Sequence, residues 1–147
     1  MTVTIKTFEA LTKSELYGIL QLRSEVFVVE QDCVYQDIDG KDQVAWHVMG
    51  YEQDTLIAYI RVFKPGDYFE HTGIGRVVVK KGQRKNGQGR KIMEASILMI
   101  TKTLGYDKIV LSAQTYLKEF YNSLGFIERG EAYLEDGIPH IHMVKTN

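Results

Sequence analysis

Residues 74–91, Ile-Gly-Arg-Val-Val-Val-Lys-Lys-Gly-Gln-Arg-Lys-Asn-Gly-Gln-Gly-Arg-Lys, constrain the fold more than any other stretch. Val77, Val78 and Val79 are consecutive β-branched residues with no breaker among them, and they predict a strand. The chain then turns polar and glycine-containing, and from Gln88 onward it reads as helix. A strand that feeds a glycine loop and a helix N-terminus is an anion-binding device: loop N–H groups point one way, and the helix end adds partial positive charge. Gly87 and Gly89 let the backbone approach a ligand that a Cβ would hold away. Lys80, Lys81, Arg84, Lys85, Arg90 and Lys91 frame the turn, and no acid lies among them. The stretch predicts a site for a phosphate-bearing ligand.

Its details narrow the choice. It lacks the Gly-Lys-Ser/Thr ending of a nucleotide-hydrolase loop and the three glycines of a dinucleotide fingerprint. What remains is Arg84-x-x-Gly87-x-Gly89 directly after a strand. Net charge is −1, so the basic loop is a local feature and gives no global pull toward nucleic acid or anionic membrane. No apolar run is long enough to span a bilayer, and Met1–Phe8 has no signal-like apolar core. The single cysteine, Cys33, has no intramolecular partner, which fits a reducing compartment, and a cytoplasmic location is expected. At 147 residues a single domain over 1–147 is expected.

Taken in order, residues 2–8 alternate and predict a first strand. Thr12-Lys13-Ser14-Glu15 has the spacing of a capping box. The helix behind it carries Leu16, Leu20, Arg23 and Phe27 on one face, so Arg23 interrupts an apolar stripe. It would either snorkel to the edge or hold an acid or substrate in a cleft. Residues 30–43 are acid-rich and irregular. Strands are predicted over 44–51 and 56–64, then a loop over 65–73 and the strand of the opening stretch. A helix over 88–104 ends at Gly105. A strand over 107–113, a helix over 116–124 capped by Gly125, and strands over 126–134 and 138–144 around Glu135-Asp136-Gly137 complete the chain. This is an α/β chain with a mixed sheet.

Arg84-x-x-Gly87-x-Gly89 after a strand resembles the pyrophosphate loop of the GNAT superfamily of acyl-CoA-dependent N-acyltransferases. A second motif, Phe120-Tyr121-Asn122-Ser123-Leu124-Gly125-Phe126, is similar to that family's Phe-Tyr-x-x-x-Gly-Phe signature. The order of elements fits over essentially the whole chain. Leu22–Gln31, Trp46-His47, Ser112-Ala113-Gln114 and Asp136–His140 resemble more narrowly the ElaA-like branch.

The resemblance implies the GNAT acyl-CoA N-acyltransferase fold and roles by position. Val77, Val78 and Val79 would pair with the pantetheine arm. The backbone of Arg84, Lys85, Asn86, Gly87, Gln88 and Gly89 would hold the pyrophosphate, with Arg84 and Arg90 in support. Gln114 stands where many members carry asparagine, and Lys85 where glycine is frequent, which is harmless if its φ is negative. Tyr121 matches the tyrosine that protonates the departing thiolate. The implied activity is acetyl-CoA-dependent N-acetyltransfer to a primary amine of a small molecule or peptide. A non-catalytic acyl-CoA sensor or interaction module on the same fold is the alternative. No nucleic acid, membrane or metal is expected as partner, and the protein would be a monomer or homodimer.

The chemistry needs few groups. Proximity and orientation supply up to ~7–11 kcal/mol in well-oriented systems, and a backbone N–H of Val78 or Val79 would stabilise the oxyanion. An alkylammonium of unperturbed pKa ~10.4 costs about 4.6 kcal/mol to deprotonate at neutral pH. A base or water chain is therefore required, and Glu30, His47 and His140 are the candidates. His140 and His142 share a strand face but lack a third metal ligand. Cys33 as an acyl-carrying nucleophile lacks a placed base. Glu25, Glu30, Asp32, Asp37, Asp39 and Asp42 stand against Lys41 alone, and an acid-rich acceptor wall drawing in an ammonium is one expectation. Simple solvation of a loop is the other.

Overall fold

A computed structural model describes residues 1–147. Seven strands, β1 (Thr2–Thr7), β2 (Trp46–Glu52), β3 (Thr55–Phe63), β4 (Thr72–Val79), β5 (Lys108–Gln114), β6 (Ile127–Glu135) and β7 (Ile138–Thr146), form one sheet. Three helices accompany it: α1 (Lys13–Arg23), α2 (Gln88–Leu98) and α3 (Lys118–Ser123). The sheet order is β1-β2-β3-β4-β5-β7-β6. Every neighbouring pair is antiparallel except β4 and β5, which run parallel because α2 carries the chain back between them. This is the mixed α/β architecture that the sequence resemblance implied. No helix is long and apolar enough to cross a membrane.

Strand alternation sends neighbouring side chains to opposite faces, and both faces are covered. Val48, Ile60, Val62 and Ile74 join Ile92, Met93 and Ile100 in the larger core under α2. Met49, Tyr59 and Val78 join Ile19, Leu22 and Val26 in the smaller core under α1. The buried stripe of α1 and the turn that continues it is thus Ile19, Leu22, Arg23 and Val26, with Leu16, Leu20 and Phe27 half-buried. The expected stripe was rotated by about one residue, and Arg23 sits at its centre. The capping box forms: the Thr12 side chain accepts from the Glu15 N–H, and Glu15 Oε1 from the Thr12 N–H.

Element ends differ from the sequence expectation where tight turns intervene. Phe8–Ala10 and Asp42–Val44 close as 3₁₀ turns, which shortens β1 and delays β2. The first and second helices continue as wider π-helical segments over Ser24–Glu30 and Met99–Leu104. Thr115–Leu117 is a 3₁₀ turn ahead of α3. Gly125, at φ 97°, ends α3, and the Phe126 N–H reaches back to the Tyr121 carbonyl.

The feature that makes a site is a parting of strands. β4 and β5 pair only over Thr72–Ile74 and Ile109–Leu111, although β4 runs on to Val79 and β5 to Gln114. The β3–β4 register explains the divergence. Tyr59 faces Val78 and Arg61 faces Gly75, so β4 carries one more residue than β3 across that step. Arg76 there has φ 51°, and a bulge of this kind bends its strand. Beyond it, β4 leaves β5 and opens the sheet.

Candidate active site

A cavity of about 300 Å³ fills the opening. Gly75 and Val77 line it from β4, Leu111 and Gln114 from β5, Tyr121 from α3 and His140 from β7. The segment after the first helix crosses it. Gln31 accepts from Gln114 Nε2 at 3.4 Å, and the Cys33 thiol reaches the Asp136 carbonyl at 3.5 Å.

The glycine loop lies at one end of this opening. Gly87, at φ 75°, precedes α2 with no side-chain cap, so first-turn N–H groups remain for an anion. A Cβ at Gly87 would meet nothing within 4 Å. Gly89 serves a different end. A Cβ there would contact Phe120 Cζ and Val79 Cγ2, each at 3.7 Å, so this glycine sits where α2 packs on β4 and α3. Lys85 has φ 74°, so the condition for a harmless replacement of glycine fails. The left-handed backbone costs a lysine roughly 1–2 kcal/mol. Asn86 is exposed and Gln88 buried.

The loop arginines are not idle. Arg84 donates from Nε to the Val79 carbonyl at 3.0 Å and from its two terminal nitrogens to Glu30 at 2.5 and 2.8 Å. That bond holds the Glu30 carboxyl below its ordinary range. Glu30 therefore pairs with Arg84 of the glycine loop and does not line the cavity. Arg90 donates to Ser123 Oγ at 2.5 Å, tying α2 to α3.

Arg23 and His47 are fully buried and do not line the cavity. Arg23 is 0% exposed, so it does not snorkel. Its Nε donates to Asp37 at 3.1 Å, one terminal nitrogen to Asp42 at 2.7 Å, and the other to the Asp37 carbonyl at 2.9 Å. Arg61 joins Asp42 at 2.8 Å and Asp39 at 2.9 Å, and Arg76 joins Asp37 at 2.8 Å. His47 is fully buried, with Nε2 at 2.9 Å from the Asp42 carbonyl and Nδ1 at 2.6 Å from the Tyr59 hydroxyl. A carbonyl only accepts, so Nε2 carries the hydrogen and Nδ1 accepts from Tyr59. Burial pushes the imidazole down, and both nitrogens are used.

The acid-rich run is accordingly not an open wall. Asp37, Asp39 and Asp42 are consumed by Arg23, Arg61 and Arg76, while Glu25 pairs with Lys80 at 3.1 Å. Burial alone would raise the Asp39 carboxyl, but the bonds and charge of Arg61 outweigh it and hold it at about 2. The carboxylates that do line the cavity are Glu135 and Asp136, from the β6–β7 turn.

Tyr121 and His140 are both brought to the cavity. Tyr121 is 5% exposed and packs edge-on against Phe120 and Phe126 at 5.2 and 6.2 Å. Burial pushes its phenol up, so it stays protonated and able to donate. Sequence reasoning missed Tyr35, Ser112, Tyr133 and Glu135, which also line the cavity. Ser112 and Tyr133 share a short hydrogen bond across β5 and β6, and Tyr35 donates to Asp37 at 2.9 Å. The hairpin turn offered one signal. It pairs Tyr133 with His140, placing both on one face.

Comparisons with known proteins identify the family and the fold. The family model described as an acetyltransferase (GNAT) domain matches residues 9–147. The chain is 44% identical to protein ElaA of Escherichia coli strain K12 over 137 residues, 92% of this chain and 90% of that one. The crystal structure of E. coli ElaA superposes with a TM-score of 0.91 at 41% identity, covering 98% of both chains. An acyl-CoA N-acyltransferase from Pseudomonas aeruginosa superposes at 0.93 with 40% identity, covering 99% of this chain and 100% of that one. An aminoglycoside 6'-N-acetyltransferase complexed with coenzyme A shares the fold alone, at 18% identity and a TM-score of 0.72 over 97% and 96% of the two chains.

Proposed function

The chain belongs to the GNAT acetyltransferase family, in its ElaA-like branch, and on that premise we propose that it moves an acetyl group from acetyl-CoA to a primary amine. The amine belongs to a small molecule or peptide and attacks the thioester directly, within a single catalytic domain over 1–147. The observation that carries this reading is the parting of β4 from β5. The opening leaves one side of the backbone from Gly75 to Val79 unpaired by β5. It runs from the glycine loop toward the cavity that Tyr121 lines.

In this reading the pantetheine arm adds to the free edge at Val77, Val78 and Val79 as a further strand would. The pyrophosphate rests on the loop from Arg84 to Gly89 and on the first turn of α2, with Arg90 beside it. An N–H of Val78 or Val79 polarises the thioester carbonyl. Gln114 reaches the arm from the opposite side of the opening. Tyr121 donates to the sulfur as the carbon–sulfur bond breaks.

Acetyl-CoA should raise the melting temperature as its concentration passes its dissociation constant, and thiol should be released only when an amine is added. Thiol release separates catalysis from a sensor, which would bind acetyl-CoA without turning it over. Gly87→Val should abolish the thermal shift. Its Cβ meets no atom within 4 Å, but the left-handed φ of 75° strains a valine there, so the shift is compared with Gly87→Asn, which tolerates that backbone and should lose less of it. A folded Gly87→Val that still shows the full shift would move the pyrophosphate elsewhere.

Glu30 competes for Arg84 in the cofactor-free protein. Glu30→Gln should therefore tighten acetyl-CoA about two- to fivefold, the worth of an exposed ion pair, while the amine KM stays put. An altered amine KM with unchanged acetyl-CoA affinity would return Glu30 to the acceptor.

A further inference from the structure

Two groups meet at the hairpin end of the cleft without a task in the transfer as described so far. His140 stands beside Gln114 of β5 and Tyr133 of β6 in the sheet and is 7% exposed. Its Nδ1 lies 2.7 Å from the Ile138 carbonyl. That oxygen only accepts, so Nδ1 carries a hydrogen and the tautomer is set. Nε2 lies 3.4 Å from Oε2 of Glu135. In neutral imidazole this nitrogen is a lone pair, and the carboxylate oxygen is an acceptor too. Two acceptors so placed call for a donor: a proton on Nε2, or the N–H groups of a third party. A primary ammonium has three and satisfies both acceptors at once.

The geometry points to His140 and Glu135 as the amine-receiving end of the site, Glu135 drawing the acceptor in as its ammonium and His140 Nε2 taking the proton. This rests on the acetyl-transfer reading and deepens it. The ammonium gives one proton to Nε2, and the imidazolium that forms is held by Glu135. The freed nitrogen pair attacks the thioester carbonyl, a carbon–nitrogen bond forms, and sulfur leaves with the carbon–sulfur pair. A second proton lost from nitrogen balances the one that the thiolate receives by way of Tyr121. The proton on His140 passes to water.

The surroundings suit this division of labour. Glu135 is 46% exposed and free to swing between Nε2 and an incoming ammonium. Glu135 and Asp136 are the carboxylates of the cavity that no arginine holds. The other titratable groups at this end are Tyr133, His142, Asp136, Cys33 and Tyr121. The Tyr133 ring stacks on His140 at 6.3 Å and tilts against His142 at 5.0 Å, while Cys33 is turned to the Asp136 carbonyl. Glu135 is the carboxylate that lies beside the imidazole, 3.4 Å from Nε2.

The test is thiol release from acetyl-CoA with primary amines ranging from phenethylamine and tyramine to 1,5-diaminopentane. It uses wild type, His140→Gln and Glu135→Gln, with the acetyl-CoA thermal shift as a control for folding and cofactor binding. With the fastest amine at neutral pH, His140→Gln should lower kcat by roughly 10²-fold or more. Raising the pH should close the gap by about tenfold per unit, because solvent then supplies the free amine. Glu135→Gln should raise the amine KM about tenfold with a smaller change in kcat. Three results would overturn the assignment: wild-type kcat in His140→Gln, a deficit that ignores pH, or loss of its acetyl-CoA shift. The first two leave acetyl transfer standing. A wild-type protein that releases no thiol with any amine sinks the transfer reading itself.

Discussion

Tyr121→Phe should lower turnover of acetyl-CoA by roughly 10²–10⁴, the usual worth of a positioned proton donor, while acetyl-CoA affinity changes little. The ring remains, so the edge-on packing against Phe120 and Phe126 is kept and only the hydroxyl is lost. The direction of the phenol's shift refines what that hydroxyl does. Burial has pushed it above its ordinary value, whereas a free thiol sits near ~8.5. Full transfer from such a phenol to a departing thiolate runs uphill unless the nitrogen's surplus proton refills it. In the proposed transfer Tyr121 would therefore donate to charge building on sulfur, with the transfer completed as the amine nitrogen deprotonates. Pre-steady-state thiol release, measured where chemistry limits, is the check. A variant with wild-type turnover would reduce Tyr121 to a packing residue.

Asp42→Ala should destabilise the fold by about 3–5 kcal/mol, the usual cost of leaving buried charges without their partner. At about 2–4 °C per kcal/mol for a domain of this size, the melting temperature should fall by about 10 °C. Both Arg23 and Arg61 donate to this one carboxylate, and each is about 0–1% exposed. Burial alone would raise the Asp42 carboxyl, but Arg23 and Arg61 outweigh it and hold it down, as Arg61 holds Asp39 at about 2. Carboxyls depressed in the folded state lend stability above their unfolded pKa of ~3.9 and lose it as pH falls. For Asp39 the loss runs from about 4 down through about 2. Wild type should thus weaken through that window, and Asp42→Ala should show a shallower acid limb. A fall of only a degree or two would mean the arginines find other partners.

Much of this molecule was legible in its residues, and the limits follow from sequence distance. The capping box Thr12–Glu15, the glycine ends at Gly105 and Gly125, and the strand–loop–helix stretch are local chemistry. Each formed as its residues require. The bulge at Arg76 was hidden, because nothing in an arginine signals φ 51° and the extra residue exists only relative to β3. Arg23 was recognised as an anomaly on an apolar face. Its partners lie 14 and 19 residues on, in a segment without regular structure, so no periodicity could supply them. Glu30 and Arg84 are 54 residues apart. The His140–Glu135 pair, proposed to receive the amine, lay closer to view. Asp136 and Gly137 both take positive φ, a two-residue turn that sets Glu135 opposite Ile138 and Tyr133 opposite His140.

The six-charge network of Arg23, Arg61, Arg76, Asp37, Asp39 and Asp42 also decides where new specificity can arise. A change to any member takes one of the two charge partners from each of two others, and Arg61 and Arg76 of this network line the cavity, so that side of the cleft resists exploration one substitution at a time. Across the opening, Glu135, Asp136 and Gly137 are exposed, and their backbone turn tolerates side-chain exchange at the first of them. On the proposed reading, diversification toward other acceptors would proceed through the β6–β7 turn, with the arginine network inherited unchanged. A saturation library confined to Tyr133, Glu135 and Ile138, sparing the left-handed Asp136 and Gly137, should yield folded variants with altered acceptor preference. One directed at the arginine wall should yield chiefly insoluble protein.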